Sequence, residues 1–403
     1  MKKFNLQKLG PGLLFAGAAI GVSHLVQSTR AGADFGWGLL WALLLSNLFK
    51  YPFFQFGTRF ALATQKNLLE GYFQLGKHYL WMYFFLNIAT MFTIQTAVTI
   101  VTAGLASSIF GFTPDLVVWS AIITAICLSL LLFGKYAFLD KAIKAIIVLL
   151  TLCTIIAVVW AGQKNTTPLL LSQVIPQGKA LLFLIAFMGW MPAPLDISIW
   201  QSLWALEKKK TENLTYKEAL FDFNVGYVVT VILGICFVGL GAFVMYGSGT
   251  TFSSSGGVFA NQLVALYTKT LGDELYIFIA IAAFTTMFST TLTTLDASPR
   301  AMEKTIALLA PKVQFLNYRF WIIILANGTL FIFAFLASEM GRLVAVATTL
   351  SFVTAPLYAF LNYRLVTGDQ MPEEARPKKG LLALSILGLL FLSSFAIGFL
   401  FTL

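Results

Sequence analysis

The sequence predicts an all-α polytopic membrane protein, and three observations support this fold class. Of the 403 residues, 58% are hydrophobic and only 11% are charged, and the mean hydropathy is +0.83. Soluble globular domains carry about 25% charged residues. Apolar runs of about 20 residues, the length that crosses a bilayer, recur along the whole chain. The loops between these runs alternate between basic and nearly uncharged.

Eleven apolar runs are long enough to be transmembrane helices. They lie near residues 9–33, 36–60, 80–110, 115–133, 142–162, 178–205, 220–246, 274–298, 318–337, 342–363 and 381–402. The longest polar stretches, at 207–217 and 367–379, have the length of loops. Residues 1–403 are therefore expected to form a single transmembrane domain.

The distribution of basic residues predicts the orientation of the chain. Alternate loops, on the same side as the N-terminus, contain 21 of the 27 lysines and arginines. Because cytoplasmic loops carry the excess of such residues, the N-terminus is expected to be cytoplasmic. An odd number of helices then places the C-terminus outside the cell (plasma or inner) membrane. The net charge of +10 thus reflects topology in a lipid bilayer, and no nucleic-acid partner is expected.

Two of the apolar runs are interrupted at matching positions. The first is interrupted at Gly21, Val22, Ser23 and His24, and the second, from Pro176 to Ala205, at the stretch from Gly189 to Pro194 that includes Pro192. Each interruption follows a Leu-Leu-Phe triplet, so that Gly21 and Gly189 are offset by 168 residues. Open backbone in a membrane is tolerated where it lines a cavity. Paired interrupted helices are typical of the substrate site of a secondary transporter.

This pairing predicts two structural repeats of inverted topology, each with five helices. The first repeat covers about 9–162, the second about 176–363, and an extra helix follows at about 381–402. In this plan helices 1 and 6 are the interrupted ones.

The residues around the first interruption resemble a known family. They include Gly10-Pro11-Gly12-Leu13-Leu14, Gln27, the stretch from Ala31 to Gly36, Leu44 to Leu48 in helix 2, and Met191-Pro192 in helix 6. This pattern resembles the Nramp family of proton-coupled divalent-metal transporters. The resemblance implies a leucine-transporter-like fold and alternating-access transport of a divalent transition metal such as manganese or iron.

Several signature residues of that family are replaced here. The family's helix-1 motif Asp-Pro-Gly-Asn, which holds the metal, corresponds to Gly21, Val22, Ser23 and His24. The histidine of its helix-6 Met-Pro-His motif corresponds to Ala193, and helix-3 acidic residues correspond to Gln95 and Val98. We therefore expect transport that is weakly coupled to protons or uncoupled.

Four residues form the predicted substrate or metal site: Gly21, His24, Met191 and Asp196. His24 suits a metal ligand or a proton carrier, or a neutral imidazole bonded to a freed carbonyl. Met191 suits a soft ligand or ordinary packing. Asp196 suits a metal or proton site, or a cap of the helix that follows Pro194.

A second group of polar residues is a candidate ion site or outer shell. Thr286, Ser289, Thr290 and Thr293 share one face of helix 8, where they could face helix 1 or bond their own helix. Gln27 and Gln95 add amides. Lys50, inside the second run, is expected to snorkel or to form an ion pair.

Other functional classes are less well supported. The chain has only two histidines, His24 and His78, and no His-Glu-x-x-His motif, so no enzyme and no cofactor is expected beyond the transported metal. The open alternative is an H⁺- or Na⁺-coupled symporter of an amino acid or other small organic solute, which Trp190 beside the interruption would suit. Nothing in the sequence indicates an oligomeric state.

Overall fold

A computed structural model describes residues 11–133, 136–165, 171–211, 215–249, 252, 262–266, 272, 276–336 and 340–401. Within these ranges every regular element is a helix and no strand occurs. The α-helices are α1 (Pro11–Ala19), α2 (Thr29–Phe35), α3 (Leu40–Thr64), α4 (Leu68–Leu75), α5 (Lys77–Phe110), α6 (Leu116–Phe133), α7 (Tyr136–Lys164), α8 (Lys179–Trp190), α9 (Ile197–Thr211), α10 (Tyr216–Val244), α11 (Tyr276–Leu309), α12 (Tyr318–Leu336), α13 (Met340–Thr367) and α14 (Lys379–Leu400). A π-helix, Val22–Ser28, joins α1 to α2, and a short 3₁₀-helix, Glu373–Ala375, precedes α14.

Five helices in the described part of the chain, α5, α6, α10, α12 and α14, are long and apolar enough to cross a membrane. Shorter apolar helices occur at Val148–Lys164 and Ala180–Trp190. Large apolar side chains such as Leu130, Leu149 and Leu390 are exposed on the outward faces, as expected for surfaces that contact lipid. The count of eleven spans and the bounds of the two repeats stay predictions.

The first interruption is shorter than the sequence predicts. Only Ile20 and Gly21 leave helical geometry, whereas Val22 and Ser23 already belong to the π-helix. Their assignment to the non-helical break was therefore wrong. The π-helix widens the turn and keeps most backbone groups paired, so the chain changes direction at Gly21 without a long open segment.

The second interruption begins later than predicted. Gly189 is still part of α8, and the open segment runs from Met191 to Asp196, with a cis Met191–Pro192 peptide bond. Gly189 serves close packing instead, because a Cβ there would lie 2.9 Å from the Thr348 carbonyl oxygen. Pro192 and Pro194 lie in the open segment as predicted. Neither proline has an N–H group, so the helical hydrogen-bond ladder ends here.

Both halves of helix 1 pack tightly against α10. A Cβ on Gly12 would overlap the backbone of Asp222, and one on Gly32 would overlap the backbone of Val238. The Gly12 amide also donates a 2.8 Å hydrogen bond to the Asp222 carboxylate. Small residues that let two backbones approach closely are typical of helix packing in membranes. Helix 1 is thereby held against α10 on both sides of its interruption.

Charged loops meet at one end of the molecule. Glu70 and Lys304 form a 2.8 Å ion pair beside a wide cavity that Lys209 and Arg300 also line. Arg59 donates to the Ala375 carbonyl oxygen at the same end. These residues come from the loops and helix ends that the basic-residue pattern assigns to one side, and the assignment of that side to the cytoplasm stays a prediction.

Candidate functional site

The two interruptions face a common cavity, as the sequence predicts. Helix 1, which comprises α1, the π-helix and α2, contributes residues on either side of Gly21. Helix 6, which comprises α8, the open segment and α9, contributes the open segment with the start of α9. One wall comes from α5 and another from α11. The lining residues are Ala18, Ala19, Val22, Ser23, Ile94, Val98, Trp190, Ala193, Pro194, Asp196, Ile197, Trp200, Thr290 and Thr294. Most of these side chains are apolar, so the few polar groups determine what the cavity can bind.

Asp196 is the ionisable group of this cavity lining. Its side chain is buried, and its carboxylate lies beside the backbone N–H groups of Asp196 and Ile197 at the start of α9. Because a helix N-terminus attracts negative charge, these N–H groups offset part of the cost of burying the carboxylate. The two roles considered for Asp196 are therefore compatible, since it flanks the helix start and still lines the cavity.

His24 is turned away from the cavity. Its Nε2 atom lies 2.9 Å from the Thr230 carbonyl oxygen on α10, and its Nδ1 atom lies 2.9 Å from the Ala19 carbonyl oxygen and 2.8 Å from Ser23 Oγ. The imidazole is fully buried and bridges the interruption of helix 1 to α10. A ring nitrogen that bound a metal would first have to give up one of these contacts. In this conformation His24 therefore connects two helices.

Met191 is also fully buried and lies outside the cavity lining. A Cβ built on Gly234 of α10 would be 3.6 Å from Met191 Sδ and 3.7 Å from His24 Cδ2. The two soft ligands predicted from the sequence thus lie on the same side, against Gly234, while Asp196 is in the cavity. His24 and Met191 therefore lie near each other, and neither lines the cavity that contains Asp196.

Gly21 is in direct contact with α11. A Cβ at this position would lie 2.7 Å from Cγ2 and 3.0 Å from Oγ1 of Thr290. The Thr290 hydroxyl donates toward the carbonyl oxygens of Gly17, at 3.1 Å, and of Ile20, at 3.4 Å. Thr290 is therefore the α11 side chain that binds the carbonyls freed by the interruption of helix 1.

The other hydroxyls predicted on helix 8, which is α11 in the structure, divide into two groups. Thr286 and Thr293 donate to carbonyl oxygens four residues earlier, those of Ala282 and Ser289, which is the bonding expected for a helix without a ligand. Ser289 is buried, and its hydroxyl has no hydrogen-bond partner in the structure. Thr290 also donates to its own helix, to the Thr286 carbonyl oxygen at 3.2 Å, but unlike Thr286 and Thr293 it reaches the carbonyls of helix 1 as well. Ser289 and Thr290 are thus the two hydroxyls of this face that remain candidates for an ion.

The two predicted amides have different environments. Gln95 accepts a 2.6 Å hydrogen bond from the Thr294 hydroxyl and donates to the Thr291 carbonyl oxygen at 3.2 Å. It therefore fastens α5 to α11, and its neighbour Val98 lines the cavity instead. Gln27 is buried in the π-helix, and its Oε1 atom lacks a hydrogen-bond partner among the described residues.

Lys50 is the residue that sequence reasoning misjudged. It is fully buried in α3, and Nζ donates to the carbonyl oxygens of Met188, at 2.8 Å, and Gly189, at 2.7 Å. It neither snorkels nor forms a direct ion pair, although it interacts electrostatically with Asp196. The signal was available, because a lysine in the middle of an apolar run is costly unless it has a function.

The described residues contain no group of three or more His, Cys, Asp or Glu side chains that could enclose a metal. A cation in this cavity would therefore be held by mixed donors. The oxygen ligands available are the Asp196 carboxylate, backbone carbonyls at the two interruptions, the Ser23 hydroxyl and hydroxyls of α11. Oxygen donors suit hard and intermediate cations, and only Met191 and His24 add softer atoms.

Comparison with known proteins identifies the family. The family described as natural resistance-associated macrophage protein-like matches residues 12–402. The chain belongs to the Nramp family. An uncharacterized protein from Pasteurella multocida (strain Pm70) is 38% identical over 97% of this chain and 91% of its own. A divalent metal cation transporter from Staphylococcus haemolyticus is 25% identical over 90% of this chain and 84% of its own.

Solved structures confirm the expected leucine-transporter-like fold. A manganese transporter from Eremococcus coleocola, determined with an aromatic bis-isothiourea compound, superposes with a TM-score of 0.74 at 13% identity. The alignment covers 96% of this chain and 85% of that one. A nucleobase–cation symporter in a closed conformation gives a TM-score of 0.58 at 14% identity, covering 97% and 92%. At these identities the similarity concerns the fold of this Nramp protein.

Proposed function

We propose that this Nramp protein is a secondary transporter that moves a divalent transition-metal ion, of the manganese or iron type, by alternating access. The observation that carries the proposal is a cavity between two interrupted helices that contains one buried carboxylate, Asp196. Relatives named as divalent metal cation transporters support the cargo. No enzymatic activity is proposed.

Asp196 is the proposed primary ligand of the metal. It lines the cavity and is the charged donor there, whereas His24 and Met191 lie together against Gly234. Reorientation of the His24 side chain during the transport cycle would release the imidazole from the Thr230 carbonyl oxygen. His24 and Met191 could then add softer donors, which would favour Mn²⁺, Fe²⁺ or Co²⁺ over Ca²⁺.

The proposed coupling is weak or absent for protons. Gln95 stands where the resemblance places an acidic residue, and both ends of its amide are hydrogen-bonded to α11. A neutral amide in this setting cannot carry a proton across. Na⁺ is the candidate coupling ion, because the freed carbonyls of Gly17 and Ile20 and the hydroxyls of Ser289 and Thr290 offer oxygen ligands.

The proposed location is a cell (plasma or inner) membrane, with the N-terminus in the cytoplasm and the C-terminus outside. The cavity lined by Glu70, Lys209 and Lys304 then opens on the cytoplasmic side, which agrees with the basic-residue pattern of the loops.

Uptake of Mn²⁺ into proteoliposomes tests the cargo, with Asp196→Asn as the decisive variant. Asparagine flanks a helix start as well as aspartate does, so this change removes the charge and spares the helix. Asp115→Asn is the matched control, because Asp115 accepts a 2.8 Å hydrogen bond from the Val117 amide at the exposed start of α6. We expect Asp196→Asn to lower uptake at least about tenfold, or ~1.4 kcal/mol, and Asp115→Asn to leave it unchanged.

Calorimetric titration of the purified protein separates the two cargo classes. Binding heat with Mn²⁺ and none with amino acids supports the metal. Absence of Mn²⁺ uptake together with binding of an amino acid would contradict the proposal and favour the organic-solute alternative. A pH-sensitive dye inside the liposomes reports proton entry, and stoichiometric acidification during uptake would contradict weak proton coupling.

A further inference from the structure

Lys50 has an unusual environment for a lysine in a membrane protein. It lies near the middle of α3 with no exposed surface. Its ammonium group donates to three backbone carbonyl oxygens of helix 6, those of Met188 at 2.8 Å, Gly189 at 2.7 Å and Ala193 at 3.4 Å. An ammonium has three N–H donors, so the three oxygens match its full hydrogen-bonding capacity.

These carbonyls are available because helix 6 is interrupted. The last four carbonyls of an α-helix have no helical partner, and α8 ends at Trp190. Pro192 and Pro194 provide no N–H groups to replace those partners. The C-terminal end of a helix also carries partial negative charge. Three oxygens and a negative helix end therefore converge on one point, which is the environment of a cation site built from backbone.

We propose that the carbonyls of Met188, Gly189 and Ala193 form a monovalent-cation site and that Lys50 is its tethered occupant. In this arrangement the lysine takes the place of a soluble ion. The side chain joins α3 to the end of α8 and to the open segment of helix 6, and it interacts electrostatically with Asp196. The lysine therefore holds the interruption in its open shape without depending on the ionic composition of either compartment.

This site is separate from the cavity that we propose for the cargo. Lys50, Met188 and Gly189 are not among the residues that line that cavity, and Ala193 is the residue common to both. The proposal does not rest on the identity of the transported substrate. Its test accordingly measures cation binding by thermal stability and not transport, so either proposal can fail without the other.

Two substitutions empty the site to different extents. Lys50→Met keeps most of the side-chain volume and leaves a space of the size of the ammonium group. NH₄⁺, Na⁺ and K⁺ are the cations added to fill that space. Lys50→Ala removes the whole stem, for which n-propylammonium is the probe. Tetramethylammonium, which donates no hydrogen bond, controls for ionic strength.

We expect each matched cation to raise the thermal midpoint of its variant by about 1–2 °C at about ten times the dissociation constant, and to leave the wild-type protein unchanged. If Lys50 only filled space, no such stabilisation by a matched cation would be expected. The proposal is overturned when neither variant distinguishes its matched cation from tetramethylammonium, or when the wild-type protein responds as strongly as the variants. Should Lys50→Ala not fold, Lys50→Met by itself decides between these outcomes.

Discussion

The contact between Gly21 and Thr290 can be tested by adding a single carbon atom. In Gly21→Ala the new Cβ would lie 2.7 Å from Cγ2 and 3.0 Å from Oγ1 of Thr290. Thr290 cannot easily yield, because its hydroxyl is bonded to the Gly17 carbonyl oxygen and to its own helix. Overpacking of this kind lowers the free energy of unfolding by about 1–3 kcal/mol. We expect Gly21→Ala to fall in that range.

A double-mutant cycle shows whether Thr290 is the cause. Thr290→Ser removes the Cγ2 methyl group and keeps the hydroxyl, so by itself it should lower the free energy of unfolding by about 0.8 kcal/mol. Combined with Gly21→Ala it should relieve the clash, and the double mutant should be about 1 kcal/mol more stable than the sum of the single changes. Gly398→Ala is the matched control, because a Cβ there meets no atom of the described residues within 4 Å.

The assay is thermal unfolding of detergent-purified protein, followed by tryptophan fluorescence, with Mn²⁺ uptake measured on the same preparations. Gly398→Ala should be neutral or stabilising by about 0.5–1 kcal/mol, as expected when glycine in a helix is replaced. Additive effects of Gly21→Ala and Thr290→Ser, or equal midpoints for Gly21→Ala and Gly398→Ala, would refute the described approach of helix 1 to α11.

Two further predictions concern the contacts of helix 1 with α10. His24→Ala removes the contacts with Ala19 and Thr230, to one of which a neutral imidazole donates a hydrogen bond, and it leaves a cavity. It should therefore lower the free energy of unfolding by about 2–4 kcal/mol and Mn²⁺ uptake at least about tenfold. His24→Gln, which keeps an N–H donor, should recover part of the stability, and equal thermal midpoints of the two variants would contradict the bridging role. Gly241→Ala places a Cβ against the Thr29 carbonyl oxygen, so it should lower the free energy of unfolding by about 1–3 kcal/mol. A thermal midpoint as high as that of the wild-type protein would show that the two backbones do not meet there.

Much of the architecture was predictable because its determinants are local. Apolar runs of sufficient length specify helices in a bilayer, whereas the direction that the alternate basic loops indicate stays a prediction. The interruption of helix 6 follows from Pro192 and Pro194, whose missing N–H groups end a helix whatever the tertiary context. The motif residues of helices 1 and 2 were also enough to indicate the Nramp family, which the match over residues 12–402 confirms.

The boundaries of the interruptions were less predictable. Val22 and Ser23 belong to the π-helix that accommodates the bend. Gly189 stays in α8, where the absence of a side chain allows close packing against Thr348. A glycine in an apolar segment has the same appearance in sequence whether it opens a helix or lets another backbone approach. Only the neighbouring helix distinguishes the two cases.

The sequence by itself determined the class of protein, the two interrupted helices and the residue types beside them. The tertiary structure decided which of those residues face the cavity. His24 is oriented by the Thr230 carbonyl oxygen of α10, and Lys50 by the carbonyls of Met188 and Gly189 on helix 6. Each partner is more than a hundred residues distant along the chain, and a buried polar group takes its direction from whichever partner satisfies it. Such partners are set by helix packing, and no local pattern encodes them.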